Sequence, residues 1–146
     1  MFKIVLMKKR MLIGELLIKA GVVRSEHVEE ALRLQKNTKK KLGEILLQLG
    51  YVHPRILSQK LCEQAGIPFM ELQSKILDTQ LAKLFPYRVL YENNILPLYE
   101  KGNTLHVATG DPANQKVARK LRQLTKKQIV LCGAEPKQIT RLLVKI

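Results

Sequence analysis

An α+β fold is predicted for this chain: an N-terminal four-helix pair of repeated hairpins followed by a small three-stranded α/β subdomain. Three observations predict it. A helical pattern repeats at an offset of 29 positions, Gly14 onto Gly43, within the first 68 residues. Beyond Pro68, short apolar runs separated by Gly, Pro, Asn and Asp replace that spacing. A length of 146 residues with 46% hydrophobic content suits one domain or two small ones with a modest core, not a large multidomain enzyme. The expected units are residues 1–68 and 69–146.

The repeat lays residues 12–35 over 41–64, with identities at Gly14/Gly43, Glu15/Glu44, Leu17/Leu46, Gly21/Gly50, Val23/Val52, Leu32/Leu61 and Gln35/Gln64. Shared apolar spacing is common between helices; shared glycines and a shared terminal glutamine are not. Each copy reads as a helical hairpin. Ile13, Leu16, Leu17 and Ala20 fall at helical spacing, and Gly21 suits the left-handed position that ends a helix. The second helix is expected to start near Ser25 as N-cap, with Glu26, Glu29 and Glu30 at the favourable end of its dipole. In the second copy Leu42, Ile45, Leu46 and Leu49 repeat the face, Gly50 ends it, and Pro54 opens the next helix, which Gly66 and Pro68 stop.

Gly14 and Gly43 sit in first turns, where glycine costs up to about 1 kcal/mol against alanine. Two reasons are open: close helix packing, or a flat ligand or its phosphate meeting a backbone with no Cβ in the way.

In the second half, Phe69–Leu72 is expected to form a short strand, Asp78 to cap a helix reaching Phe85, and Pro86 to open another ending near Asn94. Ile95–Tyr99 and Thr104–Thr109 read as strands joined at Lys101-Gly102-Asn103. Asp111 is expected to cap a helix over 113–124 with Pro112 in its first position. Gln128–Leu131 reads as the third strand and Pro136 as the start of the last helix. A strand, helix, strand crossover makes the sheet partly parallel.

These features together resemble the N-terminal, GspE-type or MshEN-like region of type II secretion and type IV pilus assembly ATPases. The carrying residues are IGELLIKAGVVRSEHVEEALRLQ, KLGEILLQLGYVHPRILSQKLCEQAGIPFMEL and ILPLYEKGNTLHVATGDPAN. The resemblance implies a regulatory or adaptor role and no enzymatic activity. No GxxxxGK[ST] loop occurs, so a stand-alone copy of the regulatory domain is expected. In the MshEN subset the doubled motif binds cyclic di-GMP. Carried over by position, that implies Ile13, Gly14, Leu17 and Gln35 in the first copy and Lys41, Leu42, Gly43, Leu46 and Gln64 in the second. Leu12 occupies the slot where the family has Arg, and Arg10 is its nearest basic substitute. Asp111, in the family-like segment GDPAN, has two readings, an N-cap or a ligand or interdomain contact. No other cofactor is implied. The implied partners are the inner-membrane platform protein of such a system or a separate ATPase, and the implied place is cytoplasmic, peripheral at the inner membrane.

The same chemistry follows from residue types. Apolar side chains cover a base, glutamine pairs with its edge, and Arg or Lys meets phosphate or guanine.

Charge bounds the other classes. The chain has 26 Lys and Arg against 12 Asp and Glu, a formal net charge of +14. Such a balance favours anionic partners, and Leu57–Pro68 resembles the first helix and turn of a helix-turn-helix. The segment FMELQ that follows is apolar and strand-like where a basic recognition helix belongs, so no specific nucleic acid is expected. Lys116, Arg119, Lys120, Arg122, Lys126 and Lys127 form a second basic region, suited to solvent, an acidic partner or an anionic leaflet. His27, His53 and His106 are isolated, Cys62 and Cys132 lack CxxC spacing, and the apolar run Met1–Met7 is too short for a signal peptide or a membrane span. Neither catalysis nor a metal is expected.

Overall fold

The computed structural model describes residues 12–146 and holds two compact units, one ending at Gln64 and the other running from Ala65 to Ile146. Arg10 and the Met1–Met7 run lie outside the described residues.

The first unit is the repeated pair of hairpins. Helices α1 (Ile13–Lys19) and α2 (Ser25–Gln35) form one copy, α3 (Leu42–Gln48) and α4 (Pro54–Ala65) the other. Gly21 and Gly50 adopt φ +75° and +78°. Val22 and Tyr51 then donate back to the carbonyls of Leu17 and Leu46, each at 3.0 Å, while Gly21 and Gly50 donate to Ile18 and Leu47 at 3.0 Å. These are paired Schellman endings, and they turn both short helices at the same point. Leu17, Val23, Val28, Ala31, Ile45, Leu46, Val52 and Leu57 form the core between the hairpins.

The starts of α2 and α4 differ from each other and, in α2, from expectation. Ser25 is the first helical residue, and Arg24 holds the N-cap position. The Arg24 N–H donates to His27 Nδ1 at 3.0 Å, closing the turn from the helix side. In the second copy, His53 Nδ1 accepts from the Arg55 N–H at 3.1 Å. A histidine serves both helix starts, from different positions.

The second unit carries α5 (Thr79–Ala82), α6 (Tyr87–Asn93), β1 (Ile95–Lys101), β2 (Thr104–Thr109), α7 (Lys116–Thr125), β3 (Gln128–Gly133) and α8 (Pro136–Leu143), with a 3₁₀ turn at Ser74–Ile76. The sheet order is β1-β2-β3; β1 pairs antiparallel and β3 parallel with β2. Gly102 at φ +59° makes the β1–β2 turn. The β1 register shifts between Pro97 and Tyr99, which fits a buried proline on an edge strand that has no N–H to give the ladder. Leu90, Ile95, Leu96, Leu105, Val107, Leu121, Ile139 and Leu143 pack the sheet against its helices.

Three further local expectations are corrected, all in the second unit. Phe69–Leu72 does not form a strand; only Phe69 bridges to Gly133, with Met70 and Gly133 donating to Gly133 and Pro68 carbonyls at 2.8 and 2.7 Å. Asp78 caps as expected, accepting from the Leu81 N–H at 3.0 Å, but its helix stops at Ala82. Asp111 is not the cap of α7. Pro112 is buried in a turn closed by Asn114 N–H on the Asp111 carbonyl at 3.0 Å, and the helix begins only at Lys116, whose N–H is taken by Asn114 Oδ1 at 3.1 Å.

Candidate functional site

Leu12 and Lys41 both sit at the N-cap position of their helices, with nearly the same backbone angles (φ −67°, ψ 153° and φ −75°, ψ 153°). Both are exposed, Leu12 to 69%. The residue pair that distinguishes the two copies, one apolar and one cationic, therefore stands at equivalent surface points. Ile13 and Leu42 follow as first helical residues, half-buried against the hairpin core.

Gly14 and Gly43 come next, and both are buried. A Cβ on Gly14 would lie 3.2 Å from Val28 Cγ1 and 3.3 Å from Leu42 Cδ2. One on Gly43 would lie 3.0 Å from Leu57 Cδ1. The missing side chains are thus filled from within: each glycine lets the second helix of its hairpin approach, and Gly14 also lets the start of α3 settle beside the start of α1. Ile13, Gly14, Lys41, Leu42 and Gly43 are brought together by that contact.

Gln35 joins them from the end of α2. Its Nε2 donates to the Lys40 carbonyl at 3.2 Å, tying the helix end to the residue before Lys41. Leu17 and Leu46, by contrast, have no exposed surface. They form the floor of the hairpin core and cannot lie against a base. Gln64 is half-buried at the end of the first unit, and Asp111 lies in the second unit, in the loop after β2, where its N–H donates to Thr109 Oγ1 at 3.1 Å. A groove of about 250 Å³ opens between the spacer and α3, lined by Leu34, Asn37, Thr38, Lys40, Ile45, Gln48 and Leu49. None of the sequence-predicted site residues lines it.

Sequence reasoning missed a linkage between the copies. His27 stacks on Tyr51 with ring centroids 4.0 Å apart, and the Tyr51 hydroxyl donates to Glu30 Oε1 at 2.5 Å. This hydrogen bond raises the Tyr51 pKa above its ordinary 10.0, with smaller contributions from desolvation and from the Glu30 charge. The spacing of His27 and Glu30 on one helix face was the available signal. His106 stacks on Tyr99 at 4.2 Å, so each histidine has a structural contact. Cys62 and Cys132 are buried and share no disulfide, and burial pushes the Cys132 thiol up. Among the described residues no group of three His, Cys, Asp or Glu could hold a metal ion, and no helix is long and apolar enough to cross a membrane.

The arrangement offers apolar cover, a cation and a nearby amide at one end of a helical pair. That is equipment for binding a flat, anionic molecule or a protein surface. It contains no paired acid and base for chemistry.

Comparison with known proteins agrees with this organisation. Type IV pilus assembly ATPases PilB from Myxococcus xanthus and Thermus thermophilus are 26% identical over 113 residues and 29% over 115. Both alignments cover 77% of this chain, which spans only 20% and 13% of those relatives. The structure of MshE with cdg matches with a TM-score of 0.80 and 27% identity, over 93% of this chain and 99% of that one. The N-terminal domain of XpsE, 18% identical with a TM-score of 0.67 over 91% and 92%, shares the fold. The MshEN domain model matches residues 65–146, the second unit; the hairpin residues lie outside that span and within the reach of the MshE likeness. With more than half its length matched, the chain belongs to the MshEN domain family.

Proposed function

We propose that the chain is a regulatory domain that binds cyclic di-GMP at the paired hairpin starts. The observation that carries this reading is the contact of Gly14 with Leu42, which sets the two copies of one motif side by side. A ligand made of two like halves is the natural match for a site made of two like halves. The likeness to MshE, solved with cdg, supports the same ligand. Ile13 and Leu42 supply apolar cover, Lys41 the charge for phosphate or guanine, and Gln35 and Gln64 amides for base edges. Arg10 belongs to the same proposal as an accessory contact. The setting is the cytoplasmic side of a pilus or secretion system.

Leu12 favours a second reading. An exposed leucine where the partner copy has lysine weakens the first half-site for an anion and suits an apolar protein contact. On that reading the domain is an adaptor for the platform protein of such a system or for a separate ATPase.

Isothermal titration with cyclic di-GMP, beside GTP and a DNA duplex, separates the two. Cyclic di-GMP alone is expected to give heat. Lys41→Ala and Gln64→Ala are each expected to weaken binding about tenfold or more, and Leu12→Arg to tighten it by about tenfold, as for a charge-assisted hydrogen bond lost or gained. Silence with every nucleotide, in the parent and in Leu12→Arg alike, overturns the ligand and leaves the adaptor.

A further inference from the structure

A one-sided run of charge lies on and just beyond α7. From Pro112 to Ala134 the sequence holds Lys116, Arg119, Lys120, Arg122, Lys126 and Lys127 and no Asp or Glu. Lys127 pairs with Glu100. The other five are exposed and form no ion pair among the described residues. At about 3.6 residues per turn, Lys116, Arg119 and Lys120 form a ridge opposite Val117, Ala118 and Leu121, which are buried in the core.

A merely solvated ridge has no use for exposed apolar neighbours, and this one has two. Leu124, on the flank of the same helix, is 54% exposed, and Leu84 is 76% exposed. Both line one groove of about 270 Å³, with Phe85 and Pro86 in its wall and the paired Lys127 and Glu100 also lining it, so the charge offered beside the leucines is that of the α7 ridge. Cations beside protruding leucines match a surface whose outer layer is phosphate and whose next layer is hydrocarbon. Nucleic acid would engage the cations and leave the leucines in water.

We propose that this face of the second unit, the α7 cationic ridge with Leu84 and Leu124, docks on an anionic phospholipid bilayer. The lysines and arginines meet lipid phosphates, and the two leucines enter the boundary between headgroups and acyl chains. The site shares no residue with the hairpin starts, so the cyclic di-GMP titration neither supports nor removes it.

Co-sedimentation of the whole chain with vesicles tests it. Vesicles of phosphatidylcholine and phosphatidylglycerol are expected to bind the protein, and vesicles of phosphatidylcholine alone are not. Each cation at an anionic surface contributes about fivefold in affinity, so Lys116→Gln/Arg119→Gln/Lys120→Gln is expected to lose about 100-fold. Leu84→Ser/Leu124→Ser is expected to lose about tenfold on the same vesicles. Lys116→Arg/Lys120→Arg, which keeps the charge, is expected to bind as the parent does, and circular dichroism checks that every variant is folded. Equal binding to both vesicle types overturns the proposal, as does an unaffected glutamine triple or leucine pair. So does equally tight binding to a DNA duplex, which would make the ridge a general polyanion contact.

Discussion

The Tyr51 hydroxyl shows how one residue joins two copies of a repeat. It lies just past the Gly50 turn of the second hairpin, yet its ring stacks on His27 and its proton goes to Glu30, both on α2 of the first. The equivalent position in the first copy is Val22, which has no such group to offer. Because the Tyr51 pKa is raised in the folded protein, its stabilising effect is complete below the ordinary value of 10.0 and is lost as pH rises through the higher folded value. Tyr51→Phe should therefore melt below the parent at neutral pH, and the gap should close in strongly alkaline buffer. Melting curves by circular dichroism at the two pH values check this; a gap that persists in alkali would show that the hydroxyl contributes through something other than its proton. Of this linkage only the spacing of His27 and Glu30 on one helix face was legible in the sequence. Tyr51 and Glu30 are far apart along the chain and outside the identities of the repeat, and only the fold brings them together.

At the scale of the element, the repeat was legible because its two short helices end by the same backbone device. Gly21 and Gly50 are informative as letters: a glycine directly after a run of helical apolar spacing marks the left-handed residue that closes the helix. Helix starts were harder to place. Ser25 and Asp111 are good N-caps by type, but His27 and Asn114 accept the backbone N–H groups at the starts of α2 and α7, and a cap is a competition among neighbours that residue type alone does not settle. The strand expected at Phe69–Leu72 shrank to one bridge because Leu72 N–H goes to Gln138 Oε1 at 3.1 Å instead of to a ladder. The reason for Gly14 and Gly43, left open by the sequence, is close packing: each lies against the second helix of its own hairpin, and Gly14 also against Leu42 of the other. Gly43→Ala makes this measurable. Alanine gains up to about 1 kcal/mol of helix propensity, but its methyl arrives 3.0 Å from Leu57 Cδ1 in a core where overpacking costs about 1–3 kcal/mol. A net loss of about 1 kcal/mol is expected in urea denaturation, and in a Leu57→Ala background, itself less stable, the same glycine substitution should cost less. A Gly43→Ala protein as stable as the parent would remove the packing explanation.

At the scale of the whole molecule, the charge of +14 acts on stability as well as on partners. Thirteen basic residues fall in Met1–Gln73 and thirteen in Ser74–Ile146, against seven and five acids, so both halves carry the excess. Among the described residues the ion pairs Arg24–Glu26, Lys60–Glu63, Arg88–Glu92 and Lys127–Glu100 keep their side chains partly or largely in solvent. Each such pair is worth about 0–1 kcal/mol and weakens in salt. Repulsion among the surplus cations is longer in range and is screened by the same salt, the Debye length falling from about 30 Å at 0.01 M to about 8 Å at 0.15 M. Repulsion is the larger effect here, since cations exceed carboxylates by 14 (26 less 12). Sodium chloride over that range is thus expected to raise the melting temperature by a few degrees, equivalent to about 1 kcal/mol for a chain of this size. Scanning calorimetry across the salt series would reveal it. A melting temperature that falls with salt would mean that the few pairs outweigh the surplus, and would locate the chain's stability in its opposite charges.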